Sequence, residues 1–587
     1  VKRLAILVFI LAAVWIIALL QRGLPLAVDE IEYFRATRWT SLGQLPYRDF
    51  WEHHPPLQWL LFAPVARFAS GAGAGAIVFM RWMQMPLWIA ICWLGVKLAR
   101  RAEVQDCGWV IALLLLVLSP TFLERAIEYR VDVVGNAAFL AAITLAGWGN
   151  GRKGWPAFGA LMSLAVLANM RLAPLVVLAA ALFLVCDPSR RAWRWNAQAL
   201  RMSLGVAATV AGFLGYLYFT RSLAGFLDGV LEYNRITKNV LEVRTFRGAL
   251  FRPFTTADLG GMLFWLAGAA GLIRALREFR RPGPLQVAAL LTIGGIGTVA
   301  AMQVQYDYHF QTVWILLLPL AADAVARLRD ARWRTAAVAT GLAGVLLSVA
   351  KTAPEFGAAM GYQNEVMFAA DRMTINGEAV LDGSGFALRR TPAWRYWFLP
   401  TGIRFLAGAR KLDPYDGKKM MADPPAAVIT DYRFILYMRM FPDVAAYGVR
   451  HYVPLYRNLW IPGMTEIVGP GSRRIRWVAP RAGQYDIHVS DLLAKHPWFS
   501  RPLEYVTTIG SRAPLLEIPL QRLPGYGAAA LQWSVDGKPV PANQRTIQLR
   551  KGAVVEVAGS APVPAGVMLV PHGVETLCQA PGEEIVF

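Results

Sequence analysis

"LAVDEIEYFRATRWTSLGQLPYRDFWEHHPPLQW", residues 26–59, decides how this chain is read. It follows an apolar run, Leu4 to Leu20, almost at once. It crowds Asp29, Glu30, Glu32, Asp49, Glu52, His53 and His54 beside what reads as a membrane helix. Charges next to hydrocarbon are costly unless they are hydrated, paired or used. The stretch is either a hydrated connector or one wall of a working site, and the rest of the chain decides between the two.

Of the 587 residues, 56% are hydrophobic and only 17% are charged. An ordinary soluble domain carries about 25% charged residues, so this chain falls in the membrane class. Its formal charge is +21. The basic residues gather in short blocks between apolar runs, as membrane topology demands, and no nucleic-acid partner is expected. The four cysteines, Cys92, Cys107, Cys186 and Cys578, form neither a CxxC pair nor a zinc-type spacing, which argues against a disulfide framework. Lys2 and Arg3 before the first run resemble the start of a signal peptide. No small-residue cleavage site follows and further spans do, so a retained helix is expected.

A helix needs about 20 apolar residues to cross a bilayer, fewer where it is short. Eleven candidate spans meet that reading: 4–20, 76–98, 109–121, 132–148, 155–169, 172–186, 202–220, 258–274, 284–302, 308–326 and 335–350. Only Met170 and Arg171 separate the fifth from the sixth, and one bent helix is the rival reading there. With the N-terminus inside, every cytoplasmic joint is short and basic, from Lys97/Arg100/Arg101 to Arg327/Arg329/Arg332/Arg334. The longer loops, 21–75 and 221–257, then lie outside, and so do residues 351–587. Beyond 351 the long apolar runs stop. "AVLDG" (379–383) and "AAVITDYR" (426–433) read as strands ending in turns and "YRFILYMRMF" (432–441) as a helix, a small α/β layer over 351–465. Alternating runs broken by Gly, Pro and Asp-Gly predict a β-sandwich over 466–587.

Four polar clusters fall on the outer side. In the first loop, "EIEYFRATRWTSLG" and "PPLQWLLFAPVARF" read as interfacial amphipathic helices carrying Asp29 and the His-His pair. "ERAIEYRVDVVGNAAF" (124–139) puts Glu124, Arg125, Glu128, Arg130 and Asp132 between two spans, with Asp132 at the start of one. An ionisable group at membrane depth is a candidate functional group; the plain alternative is an Arg130–Asp132 pair ending a helix. Arg171 in "LANMRLAPL" is either a snorkelling anchor or a phosphate ligand. "QVQYDYHFQTVW" (303–314) places Asp307, Tyr308 and His309 at the outer end of another span, where an aromatic-belt tyrosine is the simpler reading of Tyr308. Together the clusters describe a cavity lined by carboxylates, suited to proton abstraction, and by cations, suited to an anionic headgroup. No nucleotide-binding loop appears. Adjacent histidines seldom point the same way, so no metal is expected at His53-His54.

"VDEIEYFRATRWTSLGQLPYRDFWEHHPPLQWLL" resembles the first outer loop of GT-C fold glycosyltransferases, nearest the protein mannosyltransferase and aminoarabinose transferase branch. The resemblance rests on an acidic pair after the first helix, a later Gly, and Pro-Pro-Leu entering a second helix. "YRVD" (129–132), "NMRLAP" and "YDYHFQTVWILLLPLAA" extend it over residues 4–350. It implies a polytopic α-helical membrane protein of about eleven spans in the inner membrane of a bacterium. Such an enzyme transfers a sugar with inversion from a polyprenyl-phosphate donor to a cell-envelope glycan, lipid or protein, without a cofactor and as a monomer. Asp29 becomes the general base, Glu30 assists or orients it, and Asp132 shapes the acceptor site or shares the base role. His53 or His54, Arg130, Arg171 and His309 contact the lipid phosphate, and Tyr33, Glu128 and Tyr308 face sugar or acceptor. One departure stands out: relatives carry Glu-Lys before Pro-Pro, where this chain has His53-His54. A flippase for lipid-linked sugars and a non-catalytic glycan-assembly protein are the alternatives. The missing inverted repeat argues against the first. The C-terminal sandwich, with Trp394, Trp397, Trp460, Trp498 and Trp533 nearby, either binds sugar or simply packs.

Overall fold

The computed structural model describes residues 24–69, 71–146, 151–186, 194–237, 251, 254, 258–279, 283–302, 305–328, 330–352, 358–456, 458–469, 474–495, 498, 530–560 and 564–574. The first expected span, 4–20, lies outside them. The chain forms two compact units, one built from residues up to Met360 and one from Gly361 onward, the latter joined by Gly71–Gly75.

The first unit is helical. Its helices are α1 (Val28–Ser41), α2 (Leu57–Ala66), α3 (Ala74–Arg101), α4 (Asp106–Val117), α5 (Pro120–Ile127), α6 (Val131–Ala141), α7 (Gly151–Ala168), α8 (Ala173–Cys186), α9 (Arg194–Phe219), α10 (Leu259–Arg277), α11 (Pro284–Ala300), α12 (Gln311–Ala326) and α13 (Ala331–Thr352). Among the described residues, four helices are long and apolar enough to cross a membrane: Ala74–Arg101, Ala197–Phe219, Leu259–Arg277 and Asp307–Ala326. Five shorter apolar helices, including Val131–Thr144 and Pro284–Ala300, accompany them. This is a membrane helical protein, and length and composition alone do not reach eleven spans.

One expected span is broken, and one ambiguous pair is resolved. Residues 109–121 are not one helix: α4 ends at Val117, and α5 leaves at 72°. Ser119 accepts from the Phe122 amide, and Pro120 sits in the first turn, where its missing N–H costs nothing. Asp258, at the N-cap of α10, fixes this corner by accepting from Ser119 Oγ (2.6 Å) and the Thr121 amide (3.2 Å). The ambiguous segment 155–186 resolves as two helices separated by a 3-10 turn, Met170–Leu172, with Asn169 accepting from the Arg171 amide. Helix α12 is buried around almost its whole circumference, as expected of a helix apolar on every side, and it anchors the core of the unit.

Helix α1 corrects the reading of the first loop. Eight consecutive residues, Glu30 to Thr37, are buried, which covers more than two turns. It is enclosed by protein on every side, not laid in the interface by one apolar face. Polar Glu30, Glu32 and Arg35 are enclosed with it, and each such group needs a partner.

The second unit contains a five-stranded sheet, in order β2-β1-β3-β5-β4, from β1 (Ala379–Asp382), β2 (Thr391–Pro392), β3 (Ala427–Ile429), β4 (Tyr452–Tyr456) and β5 (Leu459–Pro462). Strands β1, β2 and β3 are parallel; β5 pairs antiparallel with β3, and β4 follows antiparallel at the edge. Two four-stranded antiparallel sheets follow, built from β6 (Met464–Val468) to β13 (Ala565–Pro571), and enclose a common core containing Trp477, Tyr485, Trp533, Val555 and Val567. The tryptophans considered as sugar platforms, 394, 397, 460, 498 and 533, are all buried.

Candidate active site

The two acids that open α1 part company at once. Asp29 keeps 28% of its side chain exposed, whereas Glu30 has none. Glu30 Oε1 accepts from Arg81 Nε (2.8 Å) and the Tyr129 amide (2.9 Å). Its Oε2 accepts from Arg81 Nη2 (2.6 Å) and the Ala27 amide (2.9 Å). Four donors on one carboxylate make Glu30 the anchor that ties the start of α1 to α3 and to the corner before α6. The expectation that Glu30 assists the base is corrected: its lone pairs are engaged elsewhere. Arg81 was missed from the sequence, although an arginine inside an apolar span was the signal.

Arg130 is the hub. Its Nη1 and Nη2 lie 3.4 Å from Asp29 Oδ2, Nη1 donates to Glu128 Oε2 (2.9 Å), and Nε donates to Asp132 Oδ2 (3.1 Å). The guanidinium lies 3.8 Å from the centre of the Tyr308 ring, and Gln84 clamps its backbone through both amide atoms. With three carboxylates and an aromatic face around it, and 1% of its side chain exposed, Arg130 has no open side for a phosphate. Its expected phosphate contact is corrected to one of holding acids in place. Glu128 also pairs with Arg125, which reaches Asp307 Oδ2 at 3.1 Å. Glu128 is thus a buried bridge between two arginines, which engage both of its oxygens in place of the expected sugar contact.

Asp132 is equally engaged: Oδ1 accepts from Asn169 Nδ2 (2.9 Å) and faces Arg171 Nη1 at 3.7 Å. A shared base role does not fit a carboxylate so saturated; it orients Arg130 and Arg171. Arg171 differs from Arg130. Its side chain is 35% exposed, and Nη1 makes no hydrogen bond among the described residues. His309 Nε2 likewise has none, while Nδ1 accepts from the Tyr306 amide (3.3 Å). Both side chains line one small cavity, about 20 Å³, whose other wall is apolar: Leu172, Leu175, Val299 and Val313. That volume holds about one water, so a headgroup requires the walls to part. Tyr308 lies between the two arginines, 5.6 Å from Arg171. Tyr33 is buried on the other side of Arg130, and burial pushes its phenol well above the ordinary range, so it stays neutral.

His53 and His54 turn toward carboxylates. His54 Nδ1 is 3.1 Å from Glu52 Oε1, and His53 Nδ1 is 3.2 Å from Glu32 Oε1. Burial pulls His53 well below the usual imidazole range and His54 to about 3. Both rings thus present Nδ1 to carboxylates, which leaves only Nε2 for the expected phosphate contact. The loop is held from two directions. The Tyr47 hydroxyl donates to the His54 carbonyl, and Asn234 Nδ2 donates to the His53 carbonyl at 3.3 Å. Gly225 and Gly229 press backbone on backbone: a Cβ at either would sit 2.1 Å from the Tyr47 carbonyl or 2.3 Å from that of Glu52.

No protein-family model matches this sequence, and no curated protein does either. The likeness is structural. The apo structure of ArnT from Cupriavidus metallidurans superposes with a TM-score of 0.56 at 15% identity, over 78% of this chain and 97% of that one. The chain has the ArnT fold. The structure of the same ArnT bound to undecaprenyl phosphate matches at 0.49 and 17% identity, over 66% of this chain and 85% of that one. The resemblance read in the first loop therefore holds at the level of the fold.

Proposed function

We propose that this protein transfers a sugar, with inversion, from a polyprenyl-phosphate donor to a cell-envelope acceptor at the outer face of the bacterial cytoplasmic membrane. The observation that carries the reading is the contrast between Asp29 and every other acid of the cluster. Among the acids around Arg130, Asp29 alone is partly open to solvent, and its contact with the guanidinium, at 3.4 Å, is the longest of the three. The acceptor's hydroxyl or amine attacks the anomeric carbon from the face opposite the phosphate. The bond from that carbon to the phosphate oxygen breaks, its electron pair stays on the phosphate, and the acceptor's proton passes to Asp29. Arg171 and the Nε2 side of His309 face the departing phosphate, and the apolar cavity wall beside them suits a lipid tail. The fold likeness to ArnT supports a membrane glycosyltransferase. Eleven spans, an outer C-terminal region and a positioning role for that region complete the proposal, with the basic inner joints supporting the topology.

The test is purified protein in lipid with a polyprenyl-phosphate sugar, together with mass spectrometry of envelope glycans from cells with and without it. Release of polyprenyl phosphate coupled to acceptor glycosylation is expected, and Asp29→Asn should reduce it by at least 100-fold. Full turnover in that variant would refute the base assignment; transbilayer movement of intact lipid-linked sugar without transfer would refute the reaction.

A further inference from the structure

Four side chains at the loop before Pro55 have no part in the proposed transfer. Glu32, Glu52, His53 and His54 each offer one donor atom, and these atoms all lie within 4.8 Å of one another. Four ligands on a tetrahedral zinc at about 2.0–2.1 Å stand about 3.3 Å apart. The distances here are 3.1 Å (His54 to Glu52), 3.2 Å (His53 to Glu32), 3.5 Å (His53 to Glu52) and 3.8 Å (His54 to Glu32). We propose that these four side chains form a closed, structural site for a divalent metal ion of the zinc type.

Three observations converge on this. The carboxylates are nearly fully enclosed, Glu32 at 2% and Glu52 at 1% exposure, and two buried acids side by side are stabilised by a shared proton or by a cation between them. Both imidazoles present Nδ1 to these carboxylates, and a neutral imidazole nitrogen is the form that ligates metal. Moreover, His53 Nδ1 is shielded from solvent and makes no hydrogen bond among the described residues, and Glu52 Oε2 is in the same position. Two imidazole nitrogens with two carboxylate oxygens suit zinc, cobalt or manganese better than calcium. Four protein ligands leave no coordination position for a reacting water, so the ion's task is to hold.

What it holds is specific. Glu32 comes from α1, the other three from the loop before α2, so one ion pins the loop to the helix. The His54 ring stands 5.2 Å from that of Tyr33, whose other neighbour is Arg130, 5.8 Å away. The metal would thus fix one wall beside the Asp29 cluster. The inference goes beyond the transferase reading and does not require it.

The experiment uses the full-length protein in detergent, stripped with a chelator, reloaded with Zn²⁺ or Co²⁺ and desalted. About one ion per chain is expected, with a raised thermal midpoint and, for Co²⁺, the intense visible absorption of a four-coordinate site. Glu32→Gln and His54→Asn should each lose the ion and the metal-dependent shift. Should those variants fail to fold, X-ray absorption on the zinc-loaded native protein decides by itself, with two imidazoles and two oxygens expected. Substoichiometric binding by folded native protein, undiminished binding in the folded variants, or a hydrated six-coordinate ion would each overturn the proposal.

Discussion

Replacing Glu30 by Gln separates the two acids of the Asp29-Glu30 pair by their work. Glu30 and Arg81 both have side chains with no solvent exposure, and the carboxylate accepts from four N–H groups. A glutamine keeps the shape and one oxygen. Its amide nitrogen then faces either Arg81 Nε and the Tyr129 amide or Arg81 Nη2 and the Ala27 amide, a donor against two donors in each orientation. Arg81 would retain only the Leu24 and Pro25 carbonyls, at 3.3 and 3.2 Å, and half a partner. Breaking a buried pair from one side costs about 3–5 kcal/mol, or roughly two to three and a half orders of magnitude in the folding equilibrium. Asp29→Asn should behave in the opposite way. Its carboxylate is partly exposed, with both contacts to Arg130 at 3.4 Å, so its loss should cost no more than about 1 kcal/mol while transfer falls by at least 100-fold. The assays are thermal unfolding in detergent and sugar transfer at a temperature where both variants remain folded. If Glu30→Gln unfolds like the native protein yet loses transfer as Asp29→Asn does, Glu30 works on the substrate and the division drawn here is wrong.

Arg171→Ala should raise the KM for the lipid-linked donor on the order of 10- to 100-fold, the loss of one charged hydrogen-bonding group, with Arg171→Lys recovering part of it; an unchanged donor KM would remove Arg171 from the phosphate site. Gly225→Ala should destabilise the helical unit by about 1–3 kcal/mol through overpacking, because the new methyl would meet the Tyr47 carbonyl at 2.1 Å; limited proteolysis near residues 47–54 reports it. In the second unit, burial and the neighbouring Asp382 carboxylate push Asp431 up to about 7. The folded state then holds a proton that the unfolded state releases near pH 4, so stability should fall as pH rises from about 4 to about 7 and level off above. Hydrogen exchange of β3 and the helix Tyr432–Met440 measures that slope, and Asp431→Asn should remove it even if overall stability drops.

The sequence carried the class of the molecule and much of its layout. Low charge content and long apolar runs excluded a soluble fold, because only buried or lipid-facing helices absorb so much apolar surface. The alternating runs after 465 marked strands because side chains alternate across a sheet, and β7 to β13 lie within the runs that alternate. The four clusters also proved neighbours: Asp29, Arg130, Asp132, Arg171 and Tyr308 form one contiguous group. What each charge does was not legible, because a role at such a site depends on partners far away in the chain. Glu30 became an anchor through Arg81, 51 positions on, and Arg130 was withdrawn from phosphate duty by Asp29, 101 positions back. The His-His pair shows the limit most clearly. Sequence gave two imidazoles side by side with no rule for their directions. Both rings come to face Glu32 and Glu52 in a loop whose backbone packs directly against Gly225 and Gly229, residues too far along the chain for the local sequence to announce.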